Sequence, residues 1–133
     1  MTTYNGIIRK VGDLGVRTDI PGHPGSNIHP LLSVEDTGSF GLLVALNRIE
    51  PGGSVEPHYH EDCLTFTHTQ YVISGDLIAT AAGNEVRVGP GSVIYSHSDE
   101  VHGLKNVGSD IAEILQVSAS PEGDVLGKMV FPK

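Results

Sequence analysis

From residue 31 onward the chain alternates short runs rich in Val, Ile and Leu with clusters of Gly, Pro, Asn, Asp and Ser. The runs are FGLLVALNRI (40–49), SVEPHYH (54–60), THTQYVI (67–73), LIATA (77–81), EVRVG (85–89), VIYSH (93–97), HGLKN (102–106), IAEILQVSA (111–119) and VLGKMVF (125–131). Turn signals such as PGG (51–53), SGD (74–76), AGN (82–84), GPGS (89–92) and NVGSD (106–110) separate them. A spacing of roughly 8–12 residues between turns is the rhythm of an all-β sandwich or barrel. No run keeps a 3.6-residue apolar period for ten residues, so little helix is expected. Many short antiparallel strands that must close their edges are most simply arranged as a jelly roll or small barrel, whose interior is the natural place for a pocket.

The first thirty residues break this rhythm. PGHPGSNIHP (21–30) is packed with turn formers and reads as an arm or loop rather than a strand. The expected organisation is an irregular arm over 1–30, lying across the domain surface or a neighbouring subunit, followed by a β-barrel domain over 31–133. An arm exchanged between two copies would cover open strand edges, so a homodimer is expected.

Composition narrows the function classes. A chain of 133 residues fits one domain, and Asp+Glu 16 against Lys+Arg 8 gives a net charge of -8. A field of that sign repels phosphate backbones, so nucleic acid is not an expected partner. The lone cysteine, Cys63, cannot form an internal disulfide, and no stretch approaches the ~20 apolar residues of a membrane span. The start, MTTYNGIIRKVGDLG, lacks the apolar core of a secretory signal, which makes the cytoplasm the expected compartment and a small molecule the expected partner. With no Trp and 5% aromatic residues, a carbohydrate platform of stacked indoles is excluded.

Histidine is the unusual residue: there are 7, and five of them lie between positions 58 and 102. His58 and His60 stand at i and i+2, which in a strand puts both imidazoles on one face, close enough to share one ion at ~2.0–2.1 Å. In the next run His68, Gln70 and Val72 share a face that an antiparallel partner would bring alongside that pair. His102 opens a further strand after the loop SDEV. Four histidines on strand ends converging on one barrel mouth predict a site for one divalent ion held by His58, His60, His68 and His102. Zinc is favoured for such a shell, while imidazole also suits iron, nickel and copper.

At these residues the chain resembles the cupin superfamily. The first cupin motif runs Gly, five residues, His-x-His, three or four residues, Glu, six residues, Gly. Here Gly52 precedes His58-Tyr59-His60, and after a gap of seven residues His68 stands where cupins place a glutamate ligand, six residues before Gly75. In the second motif Gly91, His102 and Asn106 keep the spacing, with His97 at the proline position and Asp99 at the glycine position. Asp tolerates left-handed backbone, so that turn is expected to survive. The resemblance covers about residues 40 to 118 and implies a cupin-like jelly roll, which makes residues 31–133 a cupin β-barrel. Small one-domain cupins with an all-histidine centre include enzymes resembling aromatic polyketide cyclases of the tetracenomycin and resistomycin type, and others are dioxygenases.

Four neutral ligands leave an ion its full +2 charge, a stronger Lewis acid toward a carbonyl or enolate oxygen than a carboxylate-ligated one. The reading is therefore a metal-dependent enzyme on a carbonyl-rich small molecule, by resemblance a polyketide cyclase of antibiotic biosynthesis closing a ring by aldol chemistry. A metal- and oxygen-dependent dioxygenase and a non-enzymatic metal or small-molecule binding module are the alternatives. For proton transfer the candidates are His97, near the expected pocket mouth, and Glu56, on the His58 face if the strand runs straight through Pro57; an exposed loop histidine and a solvated rim carboxylate are the other readings of the two. Gln70 is placed to orient a substrate carbonyl or hold a ligand histidine. Glu61 and Asp62 read as solvated charges at the pocket edge and Cys63 as a small buried hydrophobe. His23 and His29, in the proline-rich stretch, are assigned no role.

Overall fold

The computed structural model describes residues 6–33, 36, 42–61, 67–119 and 128–132. The expectations for Asp62 and Cys63 lie outside the described residues. After a 3-10 turn at Val11–Asp13 come ten strands: β1 (Ser26–Leu32), β2 (Leu42–Ile49), β3 (Ser54–Glu61), β4 (Thr67–Ser74), β5 (Leu77–Ala81), β6 (Asn84–Val88), β7 (Val93–His97), β8 (His102–Asn106), β9 (Ala112–Ala119) and β10 (Lys128–Val130). They form two five-stranded antiparallel sheets, β1-β2-β9-β4-β7 and β10-β3-β8-β5-β6, the jelly-roll sandwich expected from the sequence. Among the described residues no helix is long and apolar enough to cross a membrane.

Among the described residues each run read from the sequence is a strand within a few residues of its expected bounds; positions 40–41 and 125–127 of the first and last runs lie outside them. The exception lies upstream, where residues 26–30 belong to β1 and not to a loop. Pro30 is tolerated there because β1 is an edge strand with a register irregularity between Pro30 and Leu32, so the missing N–H interrupts no interior ladder.

The inward faces change character along their length. At one end Ile49, Val55, Val72, Leu77, Leu104, Ala112 and Ile114 pack as a dry cluster, each contributing roughly 1.5–3 kcal/mol per large side chain buried. Toward the other end the same strands turn polar on the same face. Val72 gives way to Gln70 and His68, Ile114 to Gln116 and Ser118, Leu104 to His102, and Val55 to His58 and His60. Strand alternation puts these residues inside whatever their polarity. The dry half fixes the spacing of the sheets, and the polar half has to be satisfied by what it holds.

Asn106 anchors the dry end. Its buried amide donates to the carbonyls of Ile49 (2.9 Å) and Asp110 (2.8 Å), and its Oδ1 accepts from the Gly108 N–H (2.9 Å), tying two turns to β8. The close approach of Gly75 to Ala112 explains a second motif position: a Cβ on Gly75 would collide with Ala112, and its φ of 117° suits only glycine. Asp99 needs no left-handed backbone, since Ala82 is the single non-glycine with positive φ among the described residues.

Candidate metal centre

β3 and β8 build the heart of the site. Their ladder pairs Val55 with Leu104 and then His58 with His102, three steps along β3 against two along β8. That bulge absorbs one extra residue, restores His58 to the inside and turns Glu56 and Pro57 out to solvent. His60 follows two residues later on the inner face, opposite Met129 of β10. Ring nitrogens of His58, His60 and His102 lie within 4.8 Å of one another, close enough for one divalent ion at ~2.0–2.1 Å from each to draw them together.

The hydrogen bonds to these rings decide which nitrogen faces inward. His58 Nδ1–H donates to the Glu56 carbonyl (2.7 Å) and His102 Nδ1–H to the Glu100 carbonyl (3.1 Å), each two residues back along its own chain segment. A ring committed at Nδ1 keeps the Nε2 lone pair for a ligand. Burial pushes the His58 ring down to about 3, against the pull of the Glu56 carbonyl, with the neighbouring histidines adding to the fall. Burial likewise lowers His102 to about 4. Both rings are neutral at physiological pH, as metal ligands must be. His102 Nε2 is buried with no hydrogen-bond partner, a costly state for a lone pair unless a cation takes it. The donor set and this orphaned nitrogen fit a divalent ion.

His68 stands beside the triplet and not inside it. Its ring centroid is 4.6 Å from that of His102 and 6.3 Å from that of His60, and its Nδ1 meets the Ser118 hydroxyl at 3.1 Å. Burial, reinforced by His102 and the other rings, lowers its pKa well below the usual value. Gln70 is buried two residues deeper on the same face, in register with Gln116, as the alternation of β4 required.

The two residues singled out for proton transfer are placed elsewhere. His97 ends β7 on the outward face, exposed, its ring edge-on to Tyr95, and it lines no part of the cavity. The alternation that buries Ile94 and Ser96 forces His97 out. Glu56 faces solvent because of the bulge, and only its carbonyl serves the site.

The histidines open on a cavity of about 270 Å³. Its lining includes the amides of Gln70, Gln116 and Asn47 and apolar groups such as Ile20, Ile28, Leu43 and Met129. No Asp or Glu is among the described residues that line it.

The segment before β1 supplies one wall. Arg17 forms an isolated antiparallel bridge with Ile28, and the Glu56 N–H donates to the Gly22 carbonyl (2.8 Å). These ties seat His23 inside, 7% exposed, with Nδ1–H donated to the Pro21 carbonyl (2.8 Å) and its ring centroid 5.5 Å from that of His58. Phe131, just beyond β10, packs against His58 with ring centroids 5.1 Å apart and fits only because residue 22 is glycine. His23, Arg17 and Phe131 are site residues that sequence reasoning missed. The hint was PGHPG itself, which forces a sharp, compact turn around His23. His29, by contrast, pairs with Leu46 outside the cavity lining.

Comparison with known proteins agrees with this fold. Residues 45–118 match the cupin domain. The chain is 31% identical over 87 residues to an oxalate-binding protein of Thermotoga maritima, spanning 65% of this chain and 69% of that one. Among solved structures it is similar to the polyketide cyclase RemF from Streptomyces resistomycificus, with a TM-score of 0.75, 23% identity and coverage of 97% of this chain and 88% of the cyclase. It is also similar to a predicted oxalate decarboxylase from Thermotoga maritima, with a TM-score of 0.74, 25% identity and coverage of 85% and 98%.

Proposed function

The chain belongs to the cupin domain family, and on that premise we propose that it is a metal-dependent enzyme closing a ring in a carbonyl-rich small molecule by aldol chemistry. One observation carries the reading: the described lining of the cavity offers buried imidazoles and no carboxylate. His58, His60 and His102 would hold a divalent ion, zinc in this reading, and His68, which stands beside the triplet next to His102, would serve as a fourth ligand. An ion so held supplies a Lewis acid of undiminished charge at a carbonyl oxygen.

The chain's own residues then divide the work. The Gln70 and Gln116 amides hold carbonyl oxygens of the folded substrate, and the apolar sides exclude water and favour a compact conformer. His23 replaces His97 and Glu56 as proton acceptor: with Nδ1–H committed to Pro21, its Nε2 takes the proton from the carbon beside a carbonyl. That carbon attacks a second carbonyl, a C–C bond forms, and His23 returns the proton to the new alkoxide. The C–C bond closes the ring, and the new hydroxyl then leaves as water with a second proton from the attacking carbon, giving a C=C bond in the ring.

A homodimer belongs to the same reading. Tyr71, Ile73, Val93 and Tyr95 stand exposed on the outer face of β4 and β7, with Tyr71 and Val93 in register, an apolar patch suited to a second copy.

The test separates this reading from an oxygen-dependent one on the same scaffold. Protein loaded with zinc and, separately, with iron is incubated with poly-carbonyl substrates with and without oxygen. Turnover with zinc under anaerobic conditions is expected. Turnover requiring both iron and oxygen, with oxygen incorporated into product, would overturn the cyclase reading.

A further inference from the structure

We propose that Arg17 is the anion-recognition residue of this cavity, so that the substrate is a carbonyl compound carrying a carboxylate. The inference rests on the metal-enzyme reading for what the far end of the substrate meets, and on Arg17 itself for the charged end.

The distribution of charge makes the case. The chain carries 16 Asp+Glu and a net charge of -8, yet no carboxylate is among the described residues lining the cavity. Among the described lining residues the one Lys or Arg is Arg17. The other polar side chains among the described lining residues are imidazoles and amides. A concave site whose one formal charge among the described lining residues is positive focuses that field on whatever enters. A cationic substrate is repelled, and a neutral one makes no use of the guanidinium.

Arg17 is also built for the task. Its main chain is pinned by reciprocal hydrogen bonds with Ile28, the Arg17 N–H to the Ile28 carbonyl at 2.7 Å and the Ile28 N–H to the Arg17 carbonyl at 2.9 Å. The side chain is therefore not needed to hold the arm. It is 61% exposed, and its recorded ion pair, with Asp19, spans 3.8 Å between two solvent-facing groups, an interaction worth little. A guanidinium borne by a lining residue, fixed at its root and only loosely held at its tip, can turn to a carboxylate and bind it through two parallel hydrogen bonds.

The experiment measures binding, not turnover. Levulinate, which has a ketone and a carboxylate, and its neutral isostere levulinamide are titrated by NMR into metal-free and zinc-loaded protein. Wild type, Arg17→Gln, Arg17→Lys and Asp19→Asn are compared. Metal-free wild type is expected to prefer levulinate by roughly tenfold, with Arg17→Gln abolishing the preference, Arg17→Lys keeping part of it and Asp19→Asn increasing it. An unchanged preference in Arg17→Gln, or no binding of levulinate by the wild type, overturns the proposal. Failure of the metal reading would register separately, as zinc stoichiometry near zero by elemental analysis whatever the probes do.

Discussion

His58 on β3 and His102 on β8 are direct partners across the sheet, their ring centroids 4.5 Å apart. Each gives its Nδ1–H to a carbonyl two residues back, so a shared backbone device aims both Nε2 atoms at one place. Neither ring can turn away without breaking that bond inside a buried site.

Protein purified without chelator is expected to carry about one divalent ion per chain, and His58→Ala or His102→Ala to lose it. Elemental analysis reads the stoichiometry. A chelator should also lower wild-type stability, by about 2.7 kcal/mol if the free ion had stood at a hundred times its Kd. Metal-free protein with unaltered stability and activity would refute the site.

His68 is tested against His97. His68→Gln should weaken zinc affinity by roughly 10–100-fold, the range for groups that ligate a metal or orient its ligands. His97→Gln, exposed on the outward face, should leave the affinity where it was. Competition with a chromogenic chelator measures both, and the reverse ranking would remove His68 from the centre.

Asn106→Ala should cost roughly 1–3 kcal/mol in urea unfolding, because it strands the buried carbonyl of Ile49 and removes the part-buried bonds to the Asp110 carbonyl and the Gly108 N–H. Since Asn106 lies at the dry end, zinc stoichiometry in the surviving folded protein should stay at the wild-type value. A loss below about 0.5 kcal/mol would mean that water satisfies these groups.

Acid should destabilise the metal-free protein well above the titration range of carboxylates. His58 and His102 are held at about 3 and about 4 when folded, against 6.5 for an exposed ring. Unfolded chain therefore binds more protons below pH 6.5. The stability is fully present above that value and falls by up to about 1.4 kcal/mol per pH unit for each ring, flattening only near pH 3 to 4. Urea midpoints at pH 7.5 and pH 5 give the comparison, and equal midpoints would contradict neutral burial.

Strand positions were legible in the sequence because alternation and turn residues are local signals, and they placed His58, His60, His68, Gln70 and His102 on inward faces. The bulge before His58 left no such mark. Glu56-Pro57 reads equally well as straight strand, and only the pairing of Val55 and His58 with Leu104 and His102 shows the extra residue. Residues 26–30 were hidden by their own composition, since turn formers in an edge strand resemble a loop. His23 was illegible for a different reason: its place beside His58 depends on contacts made across more than thirty residues of chain.

The seating of Phe131 against Gly22 and His58 bears on the order in which the site is made. During synthesis residues 128–131 emerge after every histidine of the centre, and contacts spanning so much chain form late. Until they do, His58 lacks the aromatic wall that shields it, and His60 lacks its β10 partner Met129. The nascent barrel thus passes through a stage in which its imidazoles are assembled but uncovered. The last strand is therefore what separates an assembled set of imidazoles from a sheltered one.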